Sequence, residues 1–420
     1  MQDIIAKDAV MKVLVLNVGS SSVKFELIET SLESIANQTE KKLGRGLIEK
    51  IGMTTATVKF KSPDKPDHIS MPPIWDHQSA IKQVMKLLTD PETGVINDIS
   101  EIDAVGHRIV HGGEYFSNSV LIDQEVAAKI RDCFELAPLH NPHNLKGYDI
   151  MQEVLPNIPH AAVFDTSFHQ SMPKHAFLYA LPYSVYQRHK VRRYGFHGTS
   201  HRFMTYFLEN RLVNRPRKDF KVITVHLGNG CSVAAVDGGK SIDTSMGFTP
   251  LEGLIMGTRC GDLDPAVVLY MMAKEEISLH EMNTMMNKFS GLLGLSGTSS
   301  DVRELIEEMN NGSERALLAL QAFAYRVRKY IGSYHAVLGG ADYICFAGGI
   351  GENSPLIREM VLDGLEKLGI KLDKEKNNTL SGDGEITTED SPVRVYVVAT
   401  DEELVIARDT VRCIAGVVKL

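Results

Sequence analysis

Asn17-Val18-Gly19-Ser20-Ser21-Ser22 gathers one glycine and three hydroxyls in a single turn. Such a segment offers backbone N–H groups and small donors with almost no side-chain bulk, which suits the oxygens of a phosphate. Taken alone, it reads equally well as a serine-rich hairpin turn. A second small-residue turn, His226-Leu227-Gly228-Asn229-Gly230, echoes it in the other half of the chain. A third glycine-rich stretch, Gly348-Gly349-Ile350-Gly351-Glu352-Asn353, leads toward a helix with Ser354 as N-cap and Pro355 in the first turn. Asp165 adds a carboxylate at the end of the apolar segment 161–164. Open α/β sheets hold their ligands at that end of a strand.

The elements that must carry these residues alternate between strand-like and helical patterns, which predicts an α/β fold. Val13–Leu16 is an apolar run, Val23–Leu27 alternates, and Thr54–Phe60 reads as a further strand. Ser62–Pro73 contains four prolines and reads as a surface loop. Gln78–Leu88 has helical apolar spacing, Ala104–His111 is a buried-looking strand, and Ser200–Leu212 reads as helical. Val222–Val225, Cys231–Val236, Tyr343–Ala347 and Val393–Ala399 read as strands, while 265–274, 313–338 and 404–413 read as helices. Strand, polar turn, strand occurs twice, suggesting two related halves.

The chain has 420 residues, 43% hydrophobic and 23% charged, with length enough for two or three domains. Its net charge of −8 is scattered and forms no basic patch, which argues against a nucleic-acid or membrane-surface partner. Five widely spaced cysteines without a Cys-x-x-Cys pair predict reduced thiols in a cytoplasmic protein, with neither disulfide framework nor zinc site. The decapeptide Met1–Val10 is too charged for a signal peptide, Met11 offers an alternative start, and no apolar run reaches membrane-span length. Gly239-Lys240-Ser241 imitates the end of a P-loop, but Ala234 replaces the first glycine. Gly349–Ser354 lacks the third glycine of the dinucleotide fingerprint. No Gly-x-Ser-x-Gly elbow or His-Glu-x-x-His is present.

Two hairpin turns bracketing a nucleotide, with a glycine-rich strand-to-helix loop, resemble the ATP site of the actin, Hsp70-type chaperone and sugar-kinase superfamily. Within it, the chain resembles the acetokinase family of acyl kinases from Met11 nearly to its end. The resemblance rests on 17–24, on Gly106-His107-Arg108-Ile109-Val110-His111-Gly112-Gly113 and on Leu136-Ala137-Pro138-Leu139-His140-Asn141-Pro142. It continues through 163–169, Arg193-Tyr194-Gly195-Phe196-His197-Gly198-Thr199-Ser200-His201, Met256-Gly257-Thr258-Arg259 and 348–353. Val18, Cys231 and Asp401 depart from the family's usual residues, and Asp401 adds charge beside the expected metal site. The fold implied is two related actin-like, ribonuclease H-like α/β domains with an active-site cleft between them. Their expected bounds are 1–168 completed by 403–420, and 169–402.

The activity implied is reversible phosphoryl transfer from ATP to acetate, giving acetyl phosphate and ADP by direct in-line attack of the carboxylate. Because that transition state spreads charge over equatorial oxygens, cationic stabilisation and alignment dominate. By resemblance, Arg108 grips the acetate carboxylate, and Arg259 holds both carboxylate and transferring phosphoryl group. His197 donates to an equatorial oxygen, with His140 in support. Asp165 is the family's proton-transfer candidate. Acetate is already ionised at neutral pH, however, so Asp165 is expected either to hold Mg²⁺ through water or to orient an arginine. Asn17 and Glu402 resemble the Mg²⁺ pair, with Mn²⁺ as a substitute metal. Lys24 is placed to meet ATP phosphates, the alternative being a solvated strand lysine. His226, Leu227, Gly228, Asn229 and Gly230 would cradle phosphates. Asp301, Val302, Arg303, Gly349, Ile350, Gly351, Glu352 and Asn353 would line the adenosine pocket.

Val110, Leu139, Phe196 and Pro250 would enclose the substrate methyl, and valine at 110 narrows the pocket in favour of acetate. The rival within the family is a propionate or butyrate kinase. Outside it stand a chaperone-like ATP-driven binding module and a sugar kinase using Asp165 as base. The family also implies domain closure that excludes water, and a homodimer.

Overall fold

Val13-Leu14-Val15-Leu16 forms the middle of strand β1 (Met11–Val18), and its unbroken apolar run follows from burial on both faces. Leu14 and Leu16 face a core built with Phe25, Ile81, Val84 and Met151. Val13 and Val15 point the other way, against Ala104, Val163, Ile406 and Val411. The computed structural model describes residues 9–417, so all but the last two residues of Met1–Val10 lie outside it.

The chain divides into two units, Met1–Ser167 with Asp401–Leu420, and Phe168–Thr400. In the first, β1 is followed by β2 (Ser22–Thr30), β3 (Lys41–Glu49), β4 (Thr57–Ser62), β5 (Lys65–Ser70), β6 (Ala104–Ile109), β7 (Val120–Leu121) and β8 (His160–Phe164). These make an eight-stranded sheet in the order β5-β4-β3-β2-β1-β6-β8-β7. The pairs β1–β6 and β6–β8 are parallel, whereas β1–β2 is an antiparallel hairpin closed by Gly19 N–H donating to the Ser22 carbonyl at 2.8 Å. Helix His77–Thr89 is capped by Asp76, which accepts from Ser79 N–H, and it buries Ala80, Ile81, Val84, Leu87 and Leu88 at helical spacing.

The second unit contains β9 (Lys221–Leu227), β10 (Cys231–Asp237), β11 (Lys240–Thr244), β12 (Tyr343–Ala347), β13 (Gly384–Glu385) and β14 (Arg394–Val397). Its six-stranded sheet runs β11-β10-β9-β12-β14-β13. Position by position this repeats β3-β2-β1-β6-β8-β7: an antiparallel trio, two parallel strands, then an antiparallel edge. The recurrence glimpsed in the sequence is thus a repeated sheet topology, that of two actin-like domains. Helix Gly198–Phe207, which follows β8, packs on β9 and β12 of the second unit. Helix Glu402–Ile414, which follows β14, packs on β1, β6 and β8 of the first.

Three local expectations change. The proline-rich segment 62–73 is not all loop, because Lys65–Ser70 forms the edge strand β5, where Pro66 is tolerated. Gly348–Asn353 is a short helix rather than a loop. Strand β3 was not anticipated: its Gly44 and Gly46 break the apolar pattern, yet a Cβ there would lie 2.8 Å from the Phe60 ring and 2.3 Å from the Phe25 ring. The glycines let two stacked rings lie flat on the strand. Among the described residues, no helix is long and apolar enough to cross a membrane.

Candidate active site

The first unit collects several of the candidate side chains at the carboxyl ends of its parallel strands. The β1–β6 register pairs Leu16 with His107, so Asn17 and Arg108 are the next residues outward. Asp165 follows the last residue of β8. Arg108 Nε donates to Asp165 Oδ1 at 2.9 Å and Nη2 to Oδ2 at 2.6 Å, a two-point pair. Asp165 is buried, whereas the Arg108 side chain remains 21% exposed. Burial pushes the Asp165 carboxyl above its usual value; Arg108 pulls it back and Glu402 raises it further. Burial works against the Arg108 charge too, but Asp165 outweighs it, with Glu402 and Glu403 assisting, so the guanidinium is held protonated. Both oxygens of Asp165 are engaged in orienting Arg108.

Glu402 opens helix Glu402–Ile414, whose N-cap Asp401 accepts from Leu404 N–H at 3.1 Å. The extra charge at Asp401 is met by Lys42 at 2.6 Å, and Lys42 also lies 3.3 Å from Glu26. Lys24, opposite Asn17 in the hairpin, pairs with Glu403 at 2.7 Å. Glu26, Asp401 and Glu403 bring carboxylate oxygens within 4.8 Å of one another, and the two lysines already serve that trio.

Val110 is buried, and its N–H donates to Asn144 Oδ1 at 3.0 Å. Asn144 in turn donates to the Val18 carbonyl, while Asn141 exchanges two hydrogen bonds with the His111 backbone. These buried asparagines on helix Asn141–Val154 tie the ends of β1 and β6 together. Sequence reasoning did not single them out, although both belong to a polar cluster opening a helix. His140 is the N-cap of that helix and half-buried, while Leu139 is 57% exposed. His77 was also missed; its Nε2 meets the Gly19 carbonyl at 2.7 Å and braces the opening turn.

In the second unit, turn 228–230 lies between β9 and β10, with Gly228 N–H donating to the Gly230 carbonyl at 3.1 Å. A Cβ on Gly230 would stand 3.2 Å from His197 Nε2 and 3.5 Å from Arg259 Nη2. A side chain there would press on an imidazole and a guanidinium, and glycine leaves the space between them open. Arg259 donates to the Pro250 carbonyl at 2.9 Å, and among the described residues no carboxylate pairs with it. Burial lowers its pKa from the arginine norm, with Cys231 working the other way. A guanidinium without a carboxylate partner has N–H groups suited to an anion.

His197 precedes helix Gly198–Phe207 in a left-handed conformation, φ +56°, which turns its ring toward the sheet. Its Nδ1 meets Ser232 Oγ at 2.9 Å, and its ring lies 4.4 Å from that of His226. His226 Nδ1 meets Ser200 Oγ at 2.8 Å. Phe196 is fully buried, and its carbonyl accepts from His169 Nε2 at 3.0 Å. Burial lowers the His169 pKa to about 4 and holds His201 well below its usual value.

The expected adenosine residues divide by position. Gly348 has φ +80° and a Cβ there would lie 2.6 Å from the Leu227 carbonyl, so the helix Gly348–Asn353 starts hard against the end of β9. Gly351 packs over Leu227, Gly349 faces open space, Ile350 is half-buried and Asn353 is exposed. Glu352 accepts from Gly348 and Thr400 N–H groups, a fastening for the loop. Buried Arg358, not anticipated, donates to the Gly351 and Glu352 carbonyls at 2.8 and 2.9 Å and fixes the other end of this turn. Asp301 caps helix Val302–Asn310, Val302 is buried, and Arg303 is exposed and paired with Asp301.

The Acetokinase family profile matches residues 12–408. Acetate kinase from Methanosarcina thermophila is 51% identical over 410 residues, 98% of either chain. The crystal structure of Porphyromonas gingivalis acetate kinase superposes with a TM-score of 0.90 at 45% identity, covering 96% of this chain and 99% of that one. A propionate kinase from Francisella tularensis superposes with a TM-score of 0.87 at 40% identity, covering 95% and 98%. With the family's profile matched over nearly its whole length, the chain belongs to the acetokinase family.

Proposed function

We propose that the chain transfers a phosphoryl group between ATP and acetate in a Mg²⁺-dependent, reversible reaction, with Mn²⁺ as an alternative metal. The observation that carries this reading is the cradle at Gly230, where His197 Nε2 and Arg259 Nη2 stand beside a small-residue turn. In the forward direction an acetate oxygen attacks the γ-phosphorus, a new P–O bond forms, and the bond to the ADP oxygen breaks. Arg259 and His197 supply positive charge and a hydrogen bond to the equatorial oxygens, where charge is spread in the transition state. Arg108, held by Asp165, presents its remaining N–H edge to the acetate carboxylate, with His140 in support. No proton has to leave acetate at neutral pH, so Asp165 acts by aligning Arg108. Val110, Leu139, Phe196 and Pro250 would meet the methyl group.

Asn17 and Glu402 offer hard oxygen donors at a strand end and a helix start, a set that suits a divalent cation retaining several waters. When bound there, the cation would neutralise phosphate charge. Lys24, His226, Leu227, Gly228, Asn229 and Gly230 would hold the phosphates, and Asp301, Val302, Arg303 and 349–353 the adenosine. Trapping the product as a hydroxamate with acetate, propionate and butyrate, each against ATP and GTP, tests the reading. Acetate-dependent hydroxamate formation supports it, and ATP hydrolysis indifferent to the acid overturns it.

The reading extends to a cytoplasmic homodimer. Helix Pro265–Lys274 buries none of its residues although it is largely apolar, and Leu269 and Tyr270 are 71% and 63% exposed. An apolar helix face of this kind suits a second copy of the chain.

A further inference from the structure

Behind His197 lies a line of buried groups that nothing in the reaction yet explains. His197 Nδ1 meets Ser232 Oγ at 2.9 Å, and the same oxygen meets His201 Nε2 at 2.7 Å. His201 Nδ1 meets Thr224 Oγ1 at 2.8 Å. Thr224, Ser232 and His201 are all fully buried, on β9, β10 and helix Gly198–Phe207. Each hydroxyl has one proton and each neutral imidazole one N–H, so the directions of these three bonds are linked.

Three arrangements make all three bonds, since a hydroxyl can accept twice. The one in which Ser232 accepts from both imidazoles leaves its own buried proton without an acceptor among the described residues, so two remain to compare. In one, Thr224 donates to His201 Nδ1, His201 Nε2–H donates to Ser232, and Ser232 donates to His197 Nδ1. The proton of His197 then sits on Nε2. In the other, every bond reverses, His197 carries its proton on Nδ1, and Nε2 is an acceptor. The reversed form leaves the Thr224 hydroxyl proton without an acceptor, because among the described residues its side chain has no other partner. A buried donor without an acceptor is costly, which disfavours reversal.

We infer that Thr224, His201 and Ser232 form a directional hydrogen-bond relay that fixes His197 as the Nε2–H tautomer, making it a donor toward the Gly230 cradle. The three are positioning residues: none faces the cradle, and they act through the His197 ring. A phosphoryl oxygen accepts hydrogen bonds and cannot donate them, so the wrong tautomer would set a lone pair against it. His226 has the same arrangement in shorter form, with Thr400 Oγ1 3.0 Å from Ser200 Oγ and that oxygen 2.8 Å from Nδ1. The inference rests on the proposed phosphoryl transfer for its purpose, but not for its geometry.

Thr224→Val tests it, since valine has threonine's shape and lacks the hydroxyl. Long-range ¹⁵N–¹H spectra of the histidine rings, with His197 assigned by loss of its signals in His197→Gln, report the tautomer without turnover. Wild type is expected to show Nε2–H at His197, and Thr224→Val, which leaves His201 Nδ1 unpaired in either direction and so removes the bias, a mixed form. The valine variant should lose about tenfold or more in kcat, with KM for acetate and ATP within about twofold. Thr224→Ser should restore both readouts. Ser232→Ala gives an independent break one bond nearer to His197. An Nδ1–H tautomer in wild type, or unchanged spectra and kcat in Thr224→Val, would overturn the relay. Failure of the wild-type hydroxamate assay would instead remove the reaction, leaving the tautomer to be judged on the spectra.

Discussion

Val110 is held by its own backbone as well as by its surroundings, since its N–H is bonded to Asn144 and its side chain is buried. Shortening that side chain should therefore open the proposed acid pocket without moving the backbone. One methylene is worth about 1–3 kcal/mol in an apolar pocket, so Val110→Ala should raise kcat/KM for propionate relative to acetate by about tenfold. Steady-state kinetics with both acids check this, and an unchanged ratio removes Val110 from the acid pocket. Some of the residue scale was legible in the chain: the glycines and hydroxyls of the turns, and the carboxylate ending an apolar strand, advertise themselves by type. Asn141, Asn144, Ser232 and Thr224 do not. A hydroxyl or amide within a strand or helix leaves no periodic mark, and its importance lies in a partner distant in sequence.

Elements are legible where one face is apolar at a regular interval. Helix His77–Thr89 shows this in its buried Ala80, Ile81, Val84, Leu87 and Leu88. Strand β3 was invisible because its packing is done by rings on neighbouring strands lying over Gly44 and Gly46. Helix Gly348–Asn353 was hidden by glycines that are poor helix formers, and Arg358 holds its carbonyl end. The helix Glu402–Ile414 makes its own prediction. Asp401 is its cap, so Asp401→Ala should cost about 1 kcal/mol in denaturant unfolding, while Asp401→Asn, which keeps the acceptor, should cost only a few tenths. Equal losses for the two variants would mean that the Lys42 pairing, and not the cap, is what Asp401 contributes.

For the whole molecule, acid sensitivity follows from the buried histidines. The folded-state pKa of His169 is about 4 against an ordinary 6.5, because burial disfavours the imidazolium. The unfolded chain therefore binds a proton that the folded chain refuses. His169 contributes its full stability above pH 6.5 and loses it as pH falls toward 4, about 3 kcal/mol in all. His201 and His107, also lowered by burial, act in the same sense. Urea unfolding between pH 7 and 5 should show a falling midpoint, with a shallower fall in His169→Gln. The exposed helix Pro265–Lys274 carries a separate expectation: if it joins two copies, Leu269→Asp should convert a dimer to a monomer by light scattering without lowering the unfolding midpoint. The two-sheet repeat has a consequence for synthesis. Helix Glu402–Ile414 covers Val13, Val15, Ala104 and Val163, residues made hundreds of codons earlier. On the ribosome, the unit made first must therefore wait with one face of its sheet bare, while the second has all of its own chain once residue 400 emerges. The order of completion is the reverse of the order of translation, and the early unit is the one that stays exposed longer.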